Sequence, residues 1–271
     1  MKNIISLKPA ALLASFVFMA MVFSCTKEGS ELNSVIERIK SVSANGKMVH
    51  QYHYDEAGRI VEENCLHYFQ KYLYENDRLV KIESAWDRSG NSSSMPTERR
   101  TEFMTSKNSN VDQYSIYKYD QTGKLEKIDL YFNETGKEFE HRSSRTFEYN
   151  GLNIVKVNVY DPSTGNTSLV YEYTYDNRGN IIKEKYFSPN ELISEKSYKY
   201  DKYKNPYQIF SMTGYPGMNT NANNIIETNL TRHYETPGFD KYSTSKNTYQ
   251  YNENGYPVKV NENGNEFEYN Y

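Results

Sequence analysis

The sequence predicts an all-β protein, a long antiparallel meander of hairpin repeats curled into a barrel-like or half-barrel shell with little helix. Three observations predict this fold: the composition, a repeated tyrosine motif and the lack of helical periodicity. Tyrosine contributes 27 of the 271 residues and phenylalanine 12, and both suit a pleated, half-buried surface. Few stretches place apolar residues at i, i+3, i+4 and i+7, so helices should be rare.

The tyrosine motif consists of an aromatic residue, any residue, a tyrosine, Asp or Asn, and a glycine three positions later. Clear copies are "YHYDEAGRI", "YKYDQTGKL" and "YTYDNRGNI", and complete or degenerate copies begin at Tyr52, Tyr72, Tyr117, Phe147, Tyr173, Tyr198, Tyr249 and Phe267. Because alternate residues of a strand share a face, each copy places two rings on one side. The residue between the rings is polar in all copies except at Leu73, so the other face should be solvated.

The polar residue and the glycine of the motif predict a tight turn. Asp55, Asp120 and Asp176 should cap it, and the glycine supplies the positive φ of a type I turn with a G1 bulge. A second set of turn sequences, such as "ANGK" and "ENGN", lies between the copies, so hairpin follows hairpin. The aromatic face needs cover, which a curled, closed or two-layered sheet provides. The tyrosines are thus predicted to have a structural role in the sheet; a ligand-binding surface formed by their rings is the alternative.

The N-terminal residues predict export and lipidation. Residues 1–24 contain two lysines and then an apolar run without charge, which is typical of a secretory signal peptide. The run ends in "VFSC", and a small residue before cysteine is typical of a bacterial lipoprotein signal, so Cys25 is the predicted lipidation site. Ordinary signal cleavage is the alternative. A flexible tether over 25–34 and one all-β domain over 35–271 should follow. With Cys25 acylated, Cys65 is alone and no disulfide holds the domain.

The pattern of charged residues argues against two kinds of protein, a nucleic-acid binder and a membrane-spanning barrel. The formal net charge is −3 and both signs are interspersed, which argues against a nucleic-acid partner. A membrane-spanning β-barrel needs an outward apolar band, whereas segments such as "LEKIDLYF" carry Lys and Glu on one face. The sequence therefore favours a soluble shell on a lipid tether over a spanning barrel.

The motif carries a resemblance to known families. "YDEAGRI", "YDQTGKL" and "YDNRGNI" resemble the YD repeat of the RHS family, whose repeats wind into β-sheet shells. The later part, including "NTYQYNENGYPVKV" and "FEYNY", together with the lipoprotein signal, resembles a family of Bacteroidetes lipoproteins described with a porin-like β fold. The resemblance covers most of residues 36–271. It implies an outer-membrane or surface lipoprotein with a glycan-handling role, and it carries over no catalytic residues.

Motifs of catalysis and cofactor binding are absent from the sequence. The five histidines have no metal-ligand spacing, and His50 and His53 should lie on opposite faces of one strand, exposed to solvent. We therefore predict no catalytic residue, no metal and no cofactor. Two carboxylates suited to glycoside hydrolysis stay an open alternative, because their separation is invisible in the sequence.

Two segments interrupt the repeats, and they are the predicted ligand-binding regions. Residues 84–111 contain the only tryptophan, Trp86, and residues 211–247 contain Tyr215 and Tyr234. Long loops on a rigid β scaffold often carry binding sites, and aromatic rings beside Asn, Asp and Arg suit sugars. Solvated hairpin loops, or an extra strand pair without a ligand, are the alternative.

The predicted function is that of a lipid-anchored binding or scaffold protein of the cell envelope, with a glycan or a partner protein as its ligand. The predicted location is the outer membrane, on its periplasmic face or at the cell surface. Two alternatives stay open: a glycan hydrolase with carboxylates inside the shell, and a purely structural envelope component.

Overall fold

A computed structural model describes residues 37–87, 102–134, 137–189, 191–214, 216–234 and 238–271. These residues form a closed barrel of antiparallel strands in which each strand pairs with its neighbours in sequence and β1 pairs with β16. The strands are β1 Ser41–Ala44, β2 Lys47–Tyr54, β3 Ile60–Cys65, β4 Tyr68–Glu75, β5 Arg78–Trp86, β6 Gln113–Tyr119, β7 Leu125–Phe132, β8 Glu140–Asn150, β9 Asn153–Tyr160, β10 Thr167–Tyr175, β11 Ile181–Ser188, β12 Glu191–Lys204, β13 Asn223–Arg232, β14 Lys241–Tyr251, β15 Pro257–Glu262 and β16 Asn265–Asn270. The predicted all-β meander is confirmed, and its sheet closes completely.

The motif turns have the predicted geometry. At the β6–β7 turn, the side-chain Oδ1 of Asp120 accepts hydrogen bonds from the backbone N–H groups of Thr122 (2.8 Å) and Lys124 (2.9 Å). Gly123 has a φ of 86°, and the strand register shifts by a bulge just before Tyr119. Turns of this kind gather at one end of the barrel, here called the turn end; the opposite end is called the loop end.

The tyrosine rings point into the barrel, as predicted. Tyr52, Tyr72, Tyr117 and Tyr173 are each at most 7% exposed, and the first three share a core cluster with aliphatic residues such as Ile128. Each buried ring removes about 150–250 Å² of surface from water. At roughly 25 cal/mol per Å², this burial is a main source of stability for a barrel without disulfides.

The second tyrosine of most copies links consecutive hairpins. Its hydroxyl donates a hydrogen bond to a main-chain carbonyl of the preceding hairpin, near the start of that hairpin's returning strand. The pairs are Tyr54–Ile39, Tyr74–Ile60, Tyr119–Leu79, Tyr149–Leu125, Tyr175–Ile154, Tyr200–Ile181 and Tyr271–Pro257, at 2.5–2.8 Å. The last pair shows that the final copy is Tyr269-Asn270-Tyr271, two residues later than the sequence analysis placed it.

The outer wall of the barrel carries cross-strand ion pairs. Lys259 Nζ lies 2.8 Å from Glu266 and 3.0 Å from Glu268, and Lys199 Nζ lies 2.8 Å from Glu227. This pattern agrees with a solvated outer face. In the described part of the chain, no helix has the length and apolar character needed to cross a membrane.

A plug, defined as residues 205–214 and 216–222, replaces the turn after the degenerate copy at Tyr198. The chain here enters the barrel and forms a 3-10 helix, Pro206–Thr213. The ring of Phe210 lies 5.4 Å from that of Tyr52, and Phe210 is 4% exposed. Tyr207 packs edge-on against Tyr269 at 6.0 Å. The plug therefore fills the lumen near the turn end.

Asparagine side chains hold the plug in place. The amide of Asn205 donates to the carbonyl of Asn221 at 2.8 Å, and the side-chain oxygen of Asn221 accepts from the backbone N–H of Ile181 at 2.8 Å. Asn180 and Asn223 exchange two further bonds of 3.0 and 3.1 Å. The plug is thus closed on itself by the Asn205–Asn221 bond and held to strand β11 by Asn221.

The two segments predicted as irregular insertions differ from that expectation. Residues 211–247 contain all of β13 and the start of β14, so they carry the extra strand pair that the sequence analysis gave as the alternative. In the other segment, Trp86 ends β5, and the described residues 102–111 fold back onto the outer wall. Met104 packs there against Phe69 and Ala85. The reason in both cases is tertiary packing, which local sequence periodicity does not report.

Candidate functional site: the lumen cavity

A cavity of about 460 Å³ occupies the lumen between the plug and the loop end. The plug residues Tyr207 and Phe210 form its floor. Its walls reach Tyr68 and Gln113, the first residues of β4 and β6 at the loop end. The lining residues are His50, Tyr52, Glu63, Tyr68, Gln70, Tyr72, Ile82, Ser84, Gln113, Ser115, Tyr117, Leu130, Arg145, Tyr207, Phe210, Thr213, Met218 and Asn219.

The lining follows from the strand period of two. On β6 the inward residues Tyr117, Ser115 and Gln113 succeed one another away from the turn end. The inward face therefore changes from rings to hydroxyl and amide groups along the strand. The apolar half of the lumen meets the plug, and the hydrogen-bonding half faces the cavity.

Glu63 is the centre of a hydrogen-bond network in the cavity wall. Its Oε1 accepts a bond of 2.6 Å from the hydroxyl of Tyr68 and lies 3.1 Å from Nδ1 of His50. The hydroxyl of Tyr72 donates its proton to Oε1 of Gln70 at 2.9 Å, and its oxygen lies 3.4 Å from Oε2 of Glu63. The Glu63 side chain is 12% exposed, so its carboxylate is largely shielded yet borders the cavity.

The phenols of this network stay protonated. Burial, and next the negative charge of Glu63, raise the pKa of Tyr68 well above its ordinary value, and the same two causes raise the pKa of Tyr72. A phenol that keeps its proton donates to the carboxylate and offers its oxygen to a ligand. The network thus presents both donors and acceptors at neutral pH.

The formal charges of the described lining cancel. Glu63 is its single carboxylate, and Arg145 is its single permanent cation. The remaining polar lining consists of His50 and of amide or hydroxyl groups. Such a wall suits an uncharged ligand rich in hydroxyl groups better than a strongly charged one.

Trp86, a predicted ligand-binding residue, lies beside this cavity. It is the cross-strand partner of Tyr68, and the two rings stack at 4.7 Å with an interplanar angle of 26°. Trp86 is 44% exposed, so part of its surface stays open to solvent at the loop end. Its role in ligand binding stays a prediction.

Tyr234, the second predicted residue, also lies at the loop end, just after β13, and is 45% exposed. Its ring lies 5.8 Å from Nζ of Lys241. Strands β5 and β13 are eight positions apart around the closed sheet, so Tyr234 and Trp86 lie on opposite sides of the barrel. Tyr215, Cys25, the signal over 1–24 and the whole tether over 25–34 lie outside the described residues.

The predicted opposite faces of His50 and His53 are confirmed, and the predicted exposure to solvent holds for His53 only. His53 is exposed on the outer wall, but His50 faces the lumen and lines the cavity, because residues three apart on a strand point to opposite sides. Within the described ranges, no group of three His, Cys, Asp or Glu residues could hold a metal ion. The sequence analysis missed Glu63, Gln70 and Arg145. Gln70 lies two residues before Tyr72 on the same strand, so extending the alternation of inward residues from that ring pair would have identified it.

Fold and cavity together define a closed antiparallel β-barrel with a plugged lumen and a polar, aromatic cavity. Its fold is similar to the crystal structure of a porin-like protein from Bacteroides vulgatus, with a TM-score of 0.51, 12% identity, and coverage of 87% of this chain and 99% of that chain. A porin-like protein from Bacteroides uniformis matches with a TM-score of 0.41, 10% identity, and coverage of 86% and 97%.

The first match confirms the porin-like part of the sequence resemblance at the level of fold. At such low identity the likeness concerns the fold alone. The relation to the YD repeat of the RHS family stays a prediction. No protein-family model and no curated protein sequence matches the chain.

Proposed function

We propose that this protein is a lipid-anchored cell-envelope protein that binds a glycan in the lumen cavity. The observation that carries the proposal is the cavity itself. Its volume of about 460 Å³ lies within the range of about 300–1,000 Å³ that is usual for ligand pockets. It combines rings with convergent hydrogen-bonding groups, which is how proteins orient small polar ligands.

The chemistry of the wall matches an uncharged sugar. The Glu63 carboxylate accepts from sugar hydroxyls, and the amides of Gln70 and Gln113 both donate and accept. The exposed side of Trp86, held by its stack on Tyr68, offers an apolar face to a sugar ring at the entrance. Because the formal charges of Glu63 and Arg145 sum to zero, a neutral saccharide matches the net charge of the described lining.

The envelope location rests on three supports. The lipoprotein-type signal ending at Cys25 predicts an anchor. The barrel has the fold of a porin-like Bacteroides protein. Its outer wall carries ion pairs such as Lys199–Glu227, which fit a water-surrounded barrel on a tether better than one that contacts lipid.

Binding is favoured over glycan hydrolysis by the carboxylate count. Hydrolysis by acid and base, or by acid and nucleophile, uses two carboxyl groups about 5–10 Å apart. The described cavity lining offers Glu63 alone. A single carboxylate supports recognition of hydroxyl groups without the second group that bond cleavage requires.

The test uses Trp86, the only tryptophan of the chain, as a fluorescent probe. Titration with neutral gluco-, manno- and galacto-oligosaccharides should change its emission in a saturable way, and calorimetry should give the same affinity. Trp86→Ala should weaken the calorimetric affinity at least tenfold. Tyr242→Ala, at a ring 75% exposed on the outer wall, should leave it unchanged. No saturable binding of any saccharide by calorimetry would contradict the proposal and favour a scaffold.

A further inference from the structure

We infer that the cavity accepts the end of a glycan chain, or a short free oligosaccharide, and rejects the internal segments of a polysaccharide. The inference rests on the proposed function and adds the part of the glycan that is recognised. Its basis is that the lumen is a cup, closed at the floor and around the wall.

The floor closes the lumen near the turn end. Phe210 and Tyr207 of the plug reach across to Tyr52 and Tyr269, which lie on β2 and β16. Phe210 also belongs to the core cluster that contains Tyr72, Tyr117 and Leu125 from β4, β6 and β7. Buried rings from several strands therefore meet the plug, and a sugar chain has no passage along this side of the lumen.

The wall closes the cavity laterally. Every strand of the sheet is hydrogen-bonded to two neighbours, including β1 to β16, where Val42 pairs with Tyr269. Proteins that bind internal polysaccharide segments need a groove or tunnel from which the chain leaves on both sides. A cup with a continuous wall offers one entrance, so a bound chain must stop inside it.

The floor is built to stay in place. Asn205 bonds the two ends of the plug to each other, and Asn221 bonds the plug to β11. Gly214 lies against Leu125 so closely that an added Cβ would come within 2.0 Å of Cδ2. Opening the floor would break these hydrogen bonds and expose Phe210 and Tyr207 to water, so ligand binding alone does not open it.

The depth of the cup limits the length of the bound chain. Along β4 its wall extends from Tyr72 near the floor to Tyr68 at the loop end, four residues or about 13 Å at the rise of a strand. The entrance lies at the loop end, where Trp86 is stacked on Tyr68. The ligand is therefore a neutral saccharide a few units long, or the terminal units of a longer chain.

The experiment compares linear, cyclic and polymeric saccharides with the intact protein. The probes are neutral oligosaccharides of increasing length, polymers of the same linkage, and cyclic α-glucans, which have no chain ends; binding is measured by calorimetry and by competition. We expect affinity to level off after the first few units. Polymers should compete in proportion to the molar concentration of their chain ends, and cyclic forms should bind at least tenfold more weakly than linear ones.

A blocked cup provides the matched control. Ser115→Phe fills the space above the floor and should lower saccharide affinity at least tenfold, whereas Thr174→Phe on the outer wall should leave it unchanged. Thermal unfolding reports whether each variant is folded; if Ser115→Phe is not, the linear-to-cyclic ratio of the unaltered protein decides. Competition that follows the number of sugar units, or equal binding of cyclic and linear forms, overturns this inference alone. If peptides bind and no saccharide does, or if nothing binds, the proposed function falls with it.

Discussion

The hydroxyl of Tyr119 donates a hydrogen bond of 2.8 Å to the main-chain carbonyl of Leu79, forty residues earlier in the chain. Tyr119 is the second ring of its motif copy, and Leu79 lies at the start of the preceding hairpin's returning strand. The same link recurs around the turn end. The motif therefore does two jobs: its first ring fills the lumen, and its second ring ties one hairpin to the previous one.

Removal of this hydroxyl should destabilise the barrel. Tyr119→Phe leaves the carbonyl of Leu79 without its phenol partner, and a lost hydrogen bond of this kind costs about 1–3 kcal/mol. Urea unfolding followed by circular dichroism measures the change. Tyr114→Phe, whose hydroxyl bonds to no described residue, should change stability by about 0.5 kcal/mol or less. Equal effects of the two variants would refute the role of the link.

Gly214→Ala should loosen the plug. Gly214 has a φ of 68°, and its added Cβ would also meet Leu125 at 2.0 Å. Gly151→Ala is a matched control, because Gly151 has a φ of 63° with nothing within 4 Å. The control should lose about 1–2 kcal/mol from backbone strain alone. A larger loss of unfolding free energy in Gly214→Ala than in Gly151→Ala, together with faster hydrogen exchange of residues 206–213, would support the close contact with Leu125. Equal losses in the two variants would show that the plug is not tightly packed against Leu125.

Asp129 should make stability depend on pH. Its buried carboxylate is 2.8 Å from Lys118 and 2.6 Å from the Ser144 hydroxyl. Burial alone would raise the pKa of Asp129, but the hydrogen bonds from Lys118, Ser144 and Lys127 outweigh it and hold the pKa well below its ordinary value. The folded state therefore gains stability above the unfolded pKa of about 4 and loses it as the pH falls toward the folded value.

Asp129→Asn should thus be destabilising at pH 7 by about 1.5–3 kcal/mol, as for hydrogen bonds to charged groups. The difference from the unaltered protein should shrink as the pH falls below about 4. Urea titrations at several pH values test this. Asp77→Asn is the control: its side chain is 92% exposed and pairs with Arg59 at 2.6 Å, and because an exposed ion pair contributes about 0–1 kcal/mol, its effect at pH 7 should be smaller than that of Asp129→Asn. A difference that stays constant from pH 7 to pH 3 would contradict the linkage.

Glu63→Gln should weaken saccharide binding. The change keeps the size of the side chain but replaces charge-assisted hydrogen bonds with neutral ones, a difference of about 1 kcal/mol or more. We expect roughly a tenfold lower affinity by calorimetry, since about 1.4 kcal/mol corresponds to a factor of ten. Glu126→Gln, an exposed carboxylate on β7, is the control. Unchanged affinity in Glu63→Gln would place the ligand elsewhere.

Cys25→Ser should release the protein from the membrane. If Cys25 carries the lipid, the unaltered chain sediments with membranes and incorporates labelled fatty acid, and the variant does neither. Cys65→Ser is the control, since Cys65 is buried in the barrel and is a free thiol. Membrane association of Cys25→Ser equal to that of the unaltered chain would favour ordinary signal cleavage.

Local chemistry alone was enough to predict the repeating unit. The Tyr-x-Tyr period of two predicts an inward and an outward face, and Asp120 followed by Gly123 predicts a capped, bulged turn. The two faces and the turn depend on residues a few positions apart, so the sequence alone is enough to predict them. Trp86 was also singled out this way, because a lone tryptophan at a break in the repeats is a local signal; its role in binding stays a prediction.

The tertiary structure alone decided the closure, the plug and the cavity. Closure depends on Val42 pairing with Tyr269, and the floor on Phe210 packing against Tyr52. The network around Glu63 of β3 joins His50 of β2 with Tyr68 and Tyr72 of β4. The closure and floor contacts join residues far apart in the chain, so they depend on how many strands close the sheet and where the degenerate repeat turns inward. The sequence therefore determined the repeating hairpin of the barrel wall. Long-range packing decided that this wall and the plug together form a cup.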